Sequence, residues 1–179
     1  MKLRPLPNRV LDLFQRQNPP SRLIRHHELV HDACCGLLEA FKARFPGLSI
    51  DYDRVLLGAA IHDAGKLIHP EEIIGPGHQH EVDGPAFLVK HGFAPEEARF
   101  AMTHGRWGEE PETPLEDLLV ALSDEVWKGS RNDRLESRVS QAIADETGLM
   151  VWEVYLWLDQ VLAEIAKDAD GRLAYQAGE

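Results

Sequence analysis

The feature that most constrains this chain is the run Val55-Leu56-Leu57-Gly58-Ala59-Ala60-Ile61, apolar on every side, which leads directly into His62-Asp63. Periodicity alone does not tell a buried strand from a buried helix in so short a run. Its neighbours carry helical spacing and offer no partner strands, so it reads as a buried helix. Packing does not explain why such a helix ends in an imidazole beside a carboxylate. Burying both costs several kcal/mol unless they are paired or bound to a metal. Two readings follow: a His-Asp pair that satisfies itself at a helix terminus, or part of a metal site.

The rest of the chain is patterned for helices. Pro19-Pro20-Ser21 gives a stop followed by an N-cap. Leu23, Val30, Cys34, Leu37 and Phe41 then recur at helical steps, until Pro46-Gly47 ends the segment. Gly65 is expected to close the apolar helix in the left-handed conformation. A looser region follows from His69 to Gly84. Pro95-Glu96-Glu97 has the composition of a first helical turn, and its helix runs toward His104-Gly105. Thr113-Pro114-Leu115-Glu116 reads as a capping box, with a helix continuing to about Trp127. Two more helices are expected near 136–146 and 149–166, parted by Gly148, with a frayed tail after Asp168. No internal repeat or low-complexity linker interrupts this pattern. The expectation is one all-α domain over 1–179 with about six to seven helices. Its site-bearing part spans about 21–131, and its C-terminal helices about 136–167.

Charge and cysteine usage narrow the setting. Thirty acidic residues against 19 Lys and Arg give a formal net charge of −11. That argues against a nucleic-acid polymer as partner, which needs clustered cations. A small anionic substrate remains compatible, because a bound cation reverses the local field. No apolar run matches a bilayer, and MKLRPLPNRVLDLF lacks a secretory stretch, so no membrane is expected. Adjacent Cys34 and Cys35 are badly placed to bridge each other and read as core thiols of a reducing, cytoplasmic compartment.

The stretch Ala59-Ala60-Ile61-His62-Asp63-Ala64-Gly65-Lys66 resembles the signature of the HD-domain superfamily of metal-dependent phosphohydrolases, departing from it mildly at Ala64, where Ile is more usual. The resemblance extends from about His26 to Arg131. It implies an earlier His on a helix. Helical geometry leaves His26 and His27 equally placed beside the apolar stripe, and the family's spacing to a Val four residues on favours His26. It implies later histidines at His80, four residues before Gly84, and at His104. It implies a distant carboxylate at Asp124, in Leu118-Leu119-Val120-Ala121-Leu122-Ser123-Asp124. His78 fits the position of His80 less well, and His69 and His91 read as solvent-exposed loop histidines.

On this resemblance His26, His62, Asp63 and Asp124 would hold one ion. His80 and His104 would hold a second, bridged by Asp63. Mixed imidazole and carboxylate donors suit Mn, Fe, Co, Ni or Zn. Lys66 is expected to neutralise charge in the transition state. Glu81 is expected to act as a general base or as a hydrogen-bond acceptor near the site. Arg106, Lys128 and Arg131 are candidates to bind substrate phosphate, and Trp107 to stack on a base or cover the cleft. The implied activity is hydrolysis of a small phosphate ester, nucleotides included. Val82-Asp83-Gly84-Pro85 lacks the Gly-Tyr-Pro element of the cyclic-dinucleotide branch, and Ala64-Gly65-Lys66 lacks the acids of alarmone hydrolases. Two alternatives stand beside it: a di-iron oxygenase of the HD type, and a metal-binding regulatory module without turnover. Trp152, Tyr155, Leu156, Val161, Leu162 and Ile165 read as core or in part as a homodimer face.

Overall fold

The run Val55–Ile61 is buried throughout except at Leu56, which is half-buried, and so it has almost no need of polar residues. The computed structural model describes residues 1–110 and 112–178, and these form helices and connecting turns with no strand among them. The segments are α1 (Asn8–Gln17), α2 (Ser21–Arg44), α3 (Tyr52–Ile61), α4 (Gln79–Lys90), α5 (Pro95–Ala98), α6 (Phe100–Arg106), α7 (Leu115–Val126), α8 (Asp133–Thr147), α9 (Val151–Ala166) and α10 (Ala169–Ala177). Because α5 and α6 are one helix broken at Arg99, the described residues hold nine helices, more than the six to seven expected.

Helix α3 lies between two apolar clusters. Val55 and Ala59 join Leu29, Val30, Leu37, Phe41, Leu118 and Leu122, a core that α8 and α9 complete through Leu135, Val139 and Leu158. Leu57, Ala60 and Ile61 join the second cluster, with Val10, Leu13, Phe14, Phe87, Leu88 and Ala101 from α1, α4 and α6. Burying each Leu, Ile or Phe side chain contributes about 1.5–3 kcal/mol, so α3 is held from both sides. At Gly58 an added Cβ would lie 2.7 Å from the Phe100 ring, so only glycine lets α6 cross so close. Asp51 caps the helix, its side chain accepting a hydrogen bond from the Arg54 amide at 3.0 Å.

Several local expectations are corrected. Gly65 does not close α3 in the left-handed region. The helix ends at Ile61 and Gly65 lies in a 3₁₀ turn, Ala64–Leu67. Glycine is needed there because an added Cβ would come 2.1 Å from the His80 carbonyl oxygen. The region expected to be loose up to Gly84 already contains the start of α4 at Gln79. Ser21 and Thr113 do not cap helices. The residues at those N-caps are Pro20 and Pro114, and the Thr113 hydroxyl donates instead to the carbonyls of Trp107 and Glu110. The tail after Asp168 is not frayed: α10 packs on α2, with Arg172 buried and the Tyr175 hydroxyl donating to Glu28 at 2.8 Å. Cys34 is buried, Cys35 half-buried, and both are free thiols. No helix among the described residues is long and apolar enough to cross a membrane.

Candidate metal centre

Helix α3, which packs on α2, α6 and α7, ends at Ile61, and the Ala64–Leu67 turn that follows packs on α4. A helix C-terminus leaves carbonyls unpaired and carries partial negative charge, so this end favours a cation. The His62 ring takes one of those carbonyls: its Nδ1 donates to Ala59 O at 2.9 Å, which aims Nε2 away from the helix. The same device recurs on α6, where His104 Nδ1 donates to Phe100 O at 3.0 Å. His80, at the start of α4, donates from Nδ1 to the Glu72 carboxylate at 2.5 Å. All three rings are thereby held through Nδ1, which leaves Nε2 to face the cluster, the arrangement of imidazoles that ligate metals.

The free nitrogens converge on Asp63. Its Oδ1 lies 3.2 Å from His80 Nε2 and 3.4 Å from His104 Nε2, and its Oδ2 lies 3.0 Å from His26 Nε2. Asp124, on α7, brings Oδ1 to 3.4 Å from His26 Nε2 and 3.5 Å from His62 Nε2. The two Nε2 atoms of His26 and His62 face each other at 3.1 Å. Both Asp63 Oδ1 and Asp124 Oδ1 are buried and accept no hydrogen bond. Orphaned carboxylate oxygens among imidazole nitrogens are costly in a dry interior, and a divalent cation is what would satisfy them. The donor set therefore fits a transition metal. Donor atoms within 4.8 Å of one another come from His26, His62 and Asp124, from His62, Asp63 and His104, and from His80, Glu81 and His104.

Electrostatics keep the carboxylates available as ligands. Burial alone would raise the Asp63 carboxyl, but His62, His104, His26 and His80 outweigh it and hold the group well below the usual carboxylate range. Burial likewise opposes ionisation of Asp124, and His62 and then His26 reverse it. Lys66 Nζ lies 2.6 Å from Asp63 Oδ2 and adds a cation at the edge of the cluster.

His26 and His27 are turned to different sides of α2. The His26 ring turns to the carboxylates, and Trp127 packs edge-on at 5.4 Å. His27 turns inward against Phe14 at 5.1 Å, fully buried, and neither ring nitrogen has a hydrogen-bond partner. Burial, then the neighbouring His62 and His26, depress its pKa and keep it neutral.

The cluster floors a cavity of about 310 Å³, lined also by Lys66, Glu81, Trp107, Glu125 and Lys128. The two other cations expected at phosphate are not brought to it. Arg106 donates to Glu81 Oε2 at 3.2 Å and does not line the cavity. Arg131 is held outside it by Glu136, at 2.8 and 2.7 Å, and by Asp159 at 2.6 Å. His69 pairs with Asp83, His91 donates to the Phe87 carbonyl, and His78 is exposed at the rim, its Nδ1 donating to Glu81. Glu72 was not singled out in the sequence. It stands in a Pro- and Gly-rich turn without helical periodicity, and only its spacing of eight residues before His80 could have drawn attention to it. A larger cavity, about 650 Å³ beside Arg4, Arg9 and Cys35, shares no residue with the ligand set.

A family model described as HD domain matches residues 21–127, more than half of the chain. No curated protein and no solved structure gives a match.

Proposed function

Since the chain belongs to the HD-domain family, we propose that this centre holds a divalent transition metal and hydrolyses a small phosphate ester. The observation that carries this reading is the burial of Asp63 Oδ1 and Asp124 Oδ1, without hydrogen bonds, among the imidazole nitrogens of four histidines in a cavity that also presents Lys66 and Lys128. The bound ion would supply Lewis acidity and an acidified water near neutral pH. His26, His62, Asp63 and Asp124 would hold one ion, and His80 and His104 would extend the set to a second across Asp63.

The chain's own residues would do the rest. Lys66, already 2.6 Å from Asp63, can swing its ammonium toward a phosphoryl oxygen and offset the charge that develops there. Lys128, 3.5 Å from Glu125, offers a second cation on the α7 side of the cavity. Trp107 supplies a flat apolar wall suited to a nucleobase. Among the described residues no Ser, Thr, Cys or Tyr lines the cavity, so the attacking group in this reading is water.

The test is phosphate release from a panel of nucleoside monophosphates and simple monoesters by protein loaded with Mn, Co, Ni, Fe or Zn. Metal-dependent turnover lost in Asp63→Asn is expected. Metal bound without release from any ester would sink the hydrolase reading. The completeness of the two-ion donor set also favours a second reading, a di-iron oxygenase. Oxygen consumption by the iron-loaded protein, with no phosphate released, would select it.

A further inference from the structure

We infer that Glu81 is itself a metal ligand, completing a second site whose donors match those of the first. The inference rests on the reading that the centre binds metal. The first site has two imidazoles, His26 and His62, one carboxylate of its own, Asp124, and a share of Asp63. With His80, His104 and Asp63 alone, the second site would have no carboxylate of its own. Donor atoms of His80, Glu81 and His104 lie within 4.8 Å of one another, so Glu81 fills that role. Each site then offers two imidazoles and two carboxylates, counting Asp63 in both.

The surroundings hold the Glu81 carboxylate in place. It is buried, 6% exposed, on the cavity wall. His78 Nδ1 donates to Oε1 at 2.9 Å and Arg106 Nε donates to Oε2 at 3.2 Å. Each oxygen keeps lone-pair capacity for a cation, since a carboxylate has about four acceptor positions. The side chain rests on α6 at Gly105, where an added Cβ would come 2.4 Å from Oε1, so the backbone there is kept bare for it. Arg106 therefore contributes by pinning a ligand, in place of the phosphate contact expected of it.

Two sites of equal donor composition, joined by one carboxylate, should fill with comparable affinity. The test titrates metal-free protein with Mn(II) alone, reading bound ions by calorimetry and spin coupling by electron paramagnetic resonance. Wild type should take two ions per chain and show a coupled spectrum, as expected for ions about 3.5–4 Å apart. Glu81→Gln should keep the first ion within about threefold, weaken the second by about tenfold or more, and show an uncoupled six-line spectrum. Arg106→Leu, which keeps the carboxylate and removes only its clamp, should weaken the second ion by less than Glu81→Gln does. If Glu81→Gln does not fold by circular dichroism, Glu81→Asp, one methylene shorter, must weaken the second ion selectively.

Two ions bound unchanged by Glu81→Gln would overturn the inference and leave the metal centre standing. So would a wild type that takes only one ion, or an Arg106→Leu variant that loses the second ion as Glu81→Gln does. No Mn(II) bound by wild type would overturn both this inference and the metal-centre reading beneath it.

Discussion

At the scale of single residues, the candidate metal centre is braced by side chains that are not among its donors. Glu72 accepts hydrogen bonds from the His80 imidazole at 2.5 Å and from the backbone amides of Gln79 and His80 at 3.0 Å each. It both caps α4 and sets the His80 tautomer. Burial would raise its carboxyl, but the His80 and Gln79 contacts bring it down from 4.5 to about 2. A folded-state pKa below the unfolded one contributes stability that is complete above the unfolded value and lost as pH falls through the folded one. The contribution of Glu72 is therefore full above about 4.5 and withdrawn as pH falls toward 2. Glu72→Gln should melt below wild type at neutral pH, and the gap should close with acidification across that window. A gap of constant size would refute the assignment. Glu72→Ala should weaken binding to the His80 side of the centre by about 10–100-fold, measured by metal competition.

At the scale of elements, legibility followed solvent contact. Helices with one wet face, such as α2 and α9, announce themselves by apolar residues at three- and four-residue steps, and α3 announces itself by having no polar face before His62. The candidate ligands on or beside these helices, His26, His62, Asp63 and Asp124, could be picked out for that reason and through the family signature. The start of α4 was hidden because its first turn is polar and its cap comes from Glu72, outside the helix. The rotation that turns His26 to the carboxylates and His27 to Phe14 was hidden because both lie beside the same apolar stripe. The pairing that withdraws Arg131 was hidden because Asp159, on α9, is remote in sequence. The α4 contact on the His-Asp turn also makes a prediction. At Gly65 an added Cβ meets the His80 backbone at 2.1 Å, which cannot be relieved by a side-chain rotation. Gly65→Ala should cost about 1–3 kcal/mol by overpacking, a drop of several degrees in Tm for a chain this size. It should also separate His80 from Asp63, so metal content should fall with it. A variant of unchanged melting temperature and metal content would show that α4 yields freely.

At the scale of the whole molecule, the centre gathers side chains from α2, α4, α6 and α7 onto the end of α3, so a bound ion would tie five elements together. A ligand that binds only the folded state raises its stability by about 2.7 kcal/mol at a hundredfold excess over Kd. Adding Mn, Co, Ni, Fe or Zn to chelated protein should therefore raise Tm in proportion to the logarithm of metal concentration, and Asp63→Asn should abolish the rise. A Tm indifferent to every metal would contradict a centre of this kind. Because the buried part of α3, Leu57 to Ile61, is clasped between both apolar clusters, its peptide amides should meet solvent only when the two cores come apart together. In deuterated buffer they should be among the last to exchange, at a rate set by global unfolding, while the turn carrying Glu72 exchanges through smaller openings. The protein would then keep the His62-Asp63 end of the proposed centre stationary, and leave entry and departure of small molecules to the side that can loosen without unfolding.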